Sequence, residues 1–160
     1  MKRIALDSNL EWTGELTTID INPECGADII WDLSEIHIHQ LPFENETFDE
    51  IGAYDCLEHW GCQGDWEFWF TEMSEYWRIL KMGGIMSIIV PTNQAALSDP
   101  GHCRFFHPNY FGFLNREFYA ENEAKKTSFT DYRWFWKRNF KIIFMEDTGE
   151  SLAVVLEKTA

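Results

Sequence analysis

Four aspartates stand at the carboxyl ends of successive short apolar runs: Asp7 after "RIAL", Asp20 in "ELTTID", Asp32 after "GADIIW" and Asp55 after "FDEIGAY". A carboxylate at the end of a strand accepts hydrogen bonds from sugar hydroxyls and amino groups. One such acid also reads as a cap or a solvated strand end. Four in succession describe a ligand-binding edge. Two imidazoles follow, His59 in "CLEHW" and His102 in "DPGHC", each the type of group that takes a proton near neutral pH. Glu58 or Asp99 would orient them, and Asp99 and Arg104 fall where a substrate would be held, with Arg104 suited to an anionic one. His59 reads equally as a residue packing on Trp60, and His102 as a turn residue. Cys56, His59 and Cys62 recur every third residue, with His102 and Cys103 downstream. These types bind zinc, but the spacing matches no zinc knuckle, and no metal is expected.

The elements that must position these groups follow from periodicity. "RIAL", "ELTTID", "GADIIWDL" and "FDEIGAYD" are short runs of strand character. Trp66, Trp69, Phe70, Met73, Trp77 and Leu80 then recur at helical spacing, with Asp65 as the cap and Gly83 and Gly84 as the stop. "IMSIIVP" is a continuous apolar run of the kind buried on both faces of a parallel sheet. Residues 92–130 read as irregular, with "DPGH" and "HPN" as turns. "FKIIFMED" and "SLAVVLEKT" flank Thr148-Gly149 and predict a terminal antiparallel hairpin. Strands, a helix and a fully buried strand give an open α/β sheet, in which ligands sit at the carboxyl ends of the strands.

With 160 residues and 45% apolar content the chain fits one domain with a substantial core. The cofactor-side half is expected at 1–91, and an acceptor-side segment with the hairpin at 92–160. The formal charge is −14 at pH 7, and from Ile4 to Trp77 eighteen acids occur without a Lys or Arg. Such a chain repels a phosphate backbone, so nucleic-acid binding is not expected. "KKTSFTDYRWFWKRNFK" interleaves basic and aromatic residues, as single-strand binders do, but reads first as a stretch of mixed surface and core feeding a strand. No apolar run is long enough for a membrane span, and the cysteine pattern suits a reduced compartment; a cytoplasmic protein is expected.

The string "TTIDINPECGADIIWDL…LPFENETFDEIGAYDCLEH…EYWRILKMGGIMSIIVP" resembles the class I S-adenosylmethionine-dependent methyltransferases, and within them the type 11 group. "RILKMGG" is similar to that group's R-V/I-L-K-P-G-G, and "DPGHCRFF" to a D-P-x-H-x-R-x-F segment of some members. The resemblance implies a Rossmann-like methyltransferase fold, a mostly parallel open sheet, with S-adenosylmethionine as cofactor. It places Asp20 on the ribose hydroxyls, Ile21 on the adenine ring, Asp32 and the Leu33 amide at the adenine edge, and Tyr54, Asp55 and Leu57 around the methionine moiety.

The family's first loop carries glycines, where the backbone closes on the methionine carboxylate. Here it reads "LDSN". Asp7 matches the acid, Ser8 and Asn9 stand in the glycine places, and only nine residues separate Leu6 from Leu16, so the first helix is short or absent. Two readings follow. Either Asp7, Ser8 and Asn9 hold the methionine end through side chains and the chain is a methyltransferase acting on an unidentified acceptor. Or it is a non-catalytic methyltransferase-like binding or partner domain. The aromatic set Trp60, Trp66, Trp69, Phe105 and Phe106 reads as core first and as an acceptor wall second.

Overall fold

The acidic runs become neighbouring strands of one sheet. A computed structural model describes residues 1–6 and 15–160. Strands β1 (Lys2–Ala5), β2 (Glu15–Asp20), β3 (Ile29–Ile30), β4 (Phe48–Tyr54) and β5 (Leu80–Pro91) pair in parallel, and β6 (Asn139–Asp147) and β7 (Ser151–Thr159) complete the order β3-β2-β1-β4-β5-β7-β6. Strand β7 runs antiparallel to both β5 and β6, as the expected hairpin requires. The order reverses between β1 and β4, and a crevice opens beyond the carboxyl ends of the strands at such a switch point. The expectation of a short or absent first helix falls on residues 7–14, outside the described residues.

Helix α1 (Trp66–Ile79) begins where Asp65 accepts from the Phe68 amide at 3.0 Å, satisfying a donor that the first turn cannot. Trp69, Phe70 and Met73 are buried as the periodicity predicts. So is a second stripe, Phe68, Glu72, Tyr76 and Ile79, because elements pack on both flanks of the helix. On one flank Trp69 meets Phe106, Tyr110 and Phe111; on the other Phe70 meets Tyr132, Phe135 and Trp136. The basic-aromatic segment is thus partly core, through Trp136, and partly surface, with Trp134 exposed.

Three expectations change. Gly83 and Gly84 do not cap the helix, which stops at Ile79 when Leu80 turns extended; both glycines lie inside β5, where the register against β4 shifts. A Cβ on Gly84 would sit 3.0 Å from the Asp49 carbonyl, so that glycine permits close strand approach. Residues 92–130 hold α2 (Asn93–Ala96), α3 (Pro108–Gly112) and α4 (Arg116–Lys125). Helix α3 starts at Pro108 and α4 at the Asn115 cap, both recognised start signals in pieces too short for periodicity to reveal. Strand β5 alternates fully buried with half-buried residues and is not sealed on both faces.

Candidate functional site

At the switch point lies a cavity of about 540 Å³ that Leu6, Asp20, Ile21, Asp32, Asp55 and His59 help to line. The volume suits a small-molecule ligand. Asp20 ends β2, and its Oδ1 accepts from the Asn22 amide at 2.8 Å, which turns the chain back and holds the carboxylate at the edge. Ile21 follows it with 62% of its surface exposed. An apolar side chain so displayed beside an acid offers a flat ligand one packing face and one polar edge. Asp32 caps the short 3-10 turn Leu33–Glu35 through Oδ1 to the Ser34 amide at 2.9 Å, so it is a cap as well as a cavity residue. Asp55, after β4, has φ of +48°, a conformation Asp tolerates better than most residues, and its amide donates to the Ile89 carbonyl at 2.8 Å.

Sequence reasoning therefore brings Asp20, Ile21, Asp32, Leu33, Asp55 and His59 to one cavity, and places others elsewhere. Asp7, Ser8 and Asn9 lie outside the described residues. Leu57 is fully buried in the core, so its side chain does not wall the cavity; Cys56 and His59 do. Tyr54 is half-buried and absent from the lining, and burial raises its hydroxyl pKa. His102 does not line the cavity either, but its ring packs edge-on against His59 with centroids 4.8 Å apart. The Asp99 carboxylate accepts from the Gly101 amide at 2.7 Å and shapes the turn that carries His102.

Arg104 is drawn into the fold. It is 5% exposed, and Nη1 donates to Glu72 Oε2 at 2.8 Å, Nη2 to Glu72 Oε1 at 3.2 Å and Nε to the Leu57 carbonyl at 3.0 Å. Glu72 also accepts from Trp60 Nε1 and, at 3.2 Å, from the Tyr76 hydroxyl. This network ties α1 to the turn 57–59 behind the cavity. One edge of Arg104 reaches a second cavity of about 300 Å³, lined also by Gln63, Trp66, Trp69, Tyr110 and Tyr132. Two of the five aromatics weighed as an acceptor wall are found there, Trp66 and Trp69.

Several site residues escaped sequence reasoning. Trp31, Ser34, Gly61 and Cys103 join the main cavity. The Trp31 indole N–H is buried and finds no protein acceptor. Glu58, between Leu57 and His59, is 1% exposed, and neither carboxylate oxygen has a hydrogen-bond partner. Burial pushes its pKa up to about 7; its own backbone N–H opposes the rise most, His102 and Arg104 less, and the Asp55 charge adds to it. Sequence alone offers Glu58 as a group that orients a histidine and Cys103 only as a distal metal ligand; the burial of Glu58 requires the tertiary fold.

Comparison with solved structures identifies the architecture. A SAM-dependent methyltransferase from Methanosarcina mazei aligns over 98% of this chain and 92% of its own, with TM-score 0.58 at 15% identity. The chain adopts the class I methyltransferase fold. The 1,6-didemethyltoxoflavin-N1-methyltransferase of Burkholderia thailandensis, solved with its substrate and S-adenosylhomocysteine, aligns over 99% of this chain and 71% of its own, with TM-score 0.55 and 15% identity. SpnF, a 4+2 cyclase, aligns over 99% of this chain and 74% of its own, with TM-score 0.60 and 12% identity. The methyltransferase fold thus hosts more than one chemistry. No family model matches the chain, and no curated protein does. Among the described residues no helix is long and apolar enough to cross a membrane.

Proposed function

We propose that this chain binds S-adenosylmethionine at the switch-point cavity and transfers its methyl group to an acceptor that enters beside His59. The observation that carries the reading is the convergence of Asp20, Asp32 and Asp55, with exposed Ile21 between the first two, on one cavity of about 540 Å³. The donor and acceptor set fits that cofactor. Asp20 would accept from the ribose hydroxyls, Ile21 would cover the adenine ring, and Asp32 with the Leu33 amide would read its edge. Asp55 and the segment 7–9 would face the methionine end.

The cofactor supplies an electrophilic methyl on a positively charged sulfur. The protein's part is to align and confine, which accounts for most of the acceleration in such a transfer. His59, exposed at the cavity wall, would accept a proton from an acceptor that has one to lose, with His102 packed behind it. Asp99 then acts through the turn at 99–101, and Arg104 through its hold on Leu57, with one edge turned to the second cavity. The rival reading is a non-catalytic domain of the same fold, which a failure to bind the cofactor would favour.

Calorimetric titration with S-adenosylhomocysteine tests the proposal. Binding in the micromolar range, weakened about 10- to 100-fold by Asp20→Ala through loss of charge-assisted hydrogen bonds, is the expected result. No binding at millimolar ligand sinks it.

A further inference from the structure

The fold brings three side chains together from two distant segments, and one of them, Glu58, is left without a hydrogen-bond partner. Glu58 and His59 come from the turn after β4, and His102 from the turn after α2. One ligand atom from each, a carboxylate oxygen and two ring nitrogens, lies within 4.8 Å of the others, the one such trio among the described residues. Glu58 is 1% exposed with both oxygens unpartnered. A buried carboxylate in that state costs several kcal/mol unless a positive group meets it.

His102 does not meet it as it stands. Its Nδ1 lies 2.8 Å from the Ala96 carbonyl oxygen. A carbonyl only accepts, so Nδ1 carries a proton, and in the neutral ring Nε2 presents a lone pair. That Nε2 faces Glu58 Oε1 at 3.9 Å, too far for a hydrogen bond. With Glu58 ionised and His102 neutral, two acceptors therefore point toward each other across a gap. Two atoms bonded to one transition ion at about 2.0–2.2 Å stand roughly 3.3–4.2 Å apart, so the gap has the width of a shared ion. The backbone carbonyl holding Nδ1–H is also the partner that metal-bound imidazoles ordinarily have, because it sets the tautomer and aims the other nitrogen. His59 is exposed, and its ring nitrogen lies within 4.8 Å of the other two ligand atoms.

We propose that Glu58, His59 and His102 form a binding site for one divalent first-row transition ion of the zinc or cobalt kind. Two imidazoles and one carboxylate select such ions over magnesium and calcium, which prefer oxygen alone. Three protein ligands leave at least one coordination position, and His59 lines the main cavity, so an oxygen donor from a ligand there completes the sphere. The inference rests on the trio and not on the aspartate edge, so it is separate from cofactor binding; with an ion bound, His59 is a ligand and no longer the base of the methyl-transfer reading.

Chelator-treated protein is titrated with zinc chloride by calorimetry and with cobalt(II) by visible absorption. One ion per chain at micromolar affinity or better is expected, with magnesium not competing. Glu58→Gln, His59→Gln and His102→Gln should each weaken binding at least about tenfold. His59→Gln alters an exposed residue and keeps the test valid if a buried substitution fails to fold, as circular dichroism will tell. Cys103→Ser should leave the affinity unchanged. The inference is overturned if no ion binds below millimolar concentration, if all three substitutions leave affinity intact, or if Cys103→Ser abolishes binding while His59→Gln does not. Asp20→Ala, which should weaken S-adenosylhomocysteine binding about 10- to 100-fold, should keep the ion, so the two readings fail separately.

Discussion

Replacing Arg104 by Met removes the cation that Glu72 was buried to meet, and the cost follows from the geometry. Glu72 is fully buried, Arg104 is 5% exposed, and the guanidinium contacts both carboxylate oxygens as well as the Leu57 carbonyl. Without it, Glu72 keeps only the Trp60 and Tyr76 donors. Breaking a buried pair from one side costs about 3–5 kcal/mol. The orphaned Leu57 carbonyl adds about 1 kcal/mol or more. The methionine stem preserves much of the packing against Phe68 and Phe106, whose ring centroids lie 5.4 and 5.2 Å from the Arg104 guanidinium carbon. The total rivals the whole stability of a typical domain, about 5–15 kcal/mol.

In urea unfolding, Arg104→Met should therefore lower the midpoint by about 2 M, taking about 2 kcal/mol per molar for a chain of this size. The double variant Glu72→Leu with Arg104→Met removes both charges and should recover more than half the loss. It does not recover all, because Trp60 and Tyr76 keep donors with no acceptor. Should the single variant not fold, a folded double variant carries the same message. An Arg104→Met protein within about 1 kcal/mol of the parent would refute the reasoning, as would a double variant no more stable than the single one.

The raised Glu58 pKa makes stability fall with pH in the metal-free protein. The folded carboxyl, at about 7, holds its proton more tightly than the unfolded one, at 4.5. This contribution is complete below pH 4.5 and lost as pH rises to about 7; at 1.36 kcal/mol per pH unit the full shift bounds it at roughly 3 kcal/mol, and solvent screening reduces it to about 1–2 kcal/mol. Glu58→Gln should flatten that part of the profile in urea melts with chelator present; an unchanged slope counts against it. Gly61→Ala tests the cavity wall. Gly61 has φ of +76°, and a Cβ there would lie 2.9 Å from the Phe68 ring, so a loss of about 1–2 kcal/mol or more is expected in the same melts. A neutral outcome would mean the turn at 60–62 is not held as described.

Much of this protein is legible in its sequence because short-range physics sets it. Alternation and apolar runs mark the strands, the Trp66–Trp77 periodicity marks α1 with its Asp65 cap, and the turn at Thr148-Gly149 marks the terminal hairpin. Acids at strand ends are equally local, which is why Asp20, Asp32 and Asp55 were found as a set and do share a cavity. Helices α3 and α4 were missed because 5 and 10 residues carry too little period, and Gly83-Gly84 misled because a glycine pair signals a helix end and a strand irregularity alike.

Tertiary structure decided the rest. Arg104 read as a substrate contact because nothing local reveals that Glu72, 32 residues earlier, turns a second helix face inward to meet it. Leu57 points into the core while Cys56 and His59 face the cavity, a choice made by the conformation of one short turn. Glu58 and His102, 44 positions apart, meet only because the chain after α2 returns across the 57–59 turn, where the Cys103 and Arg104 amides donate to the Glu58 carbonyl. Periodicity reports which face of an element is apolar. Which buried polar group finds which partner depends on packing between elements distant in sequence, and that is where this chain's chemistry is assembled.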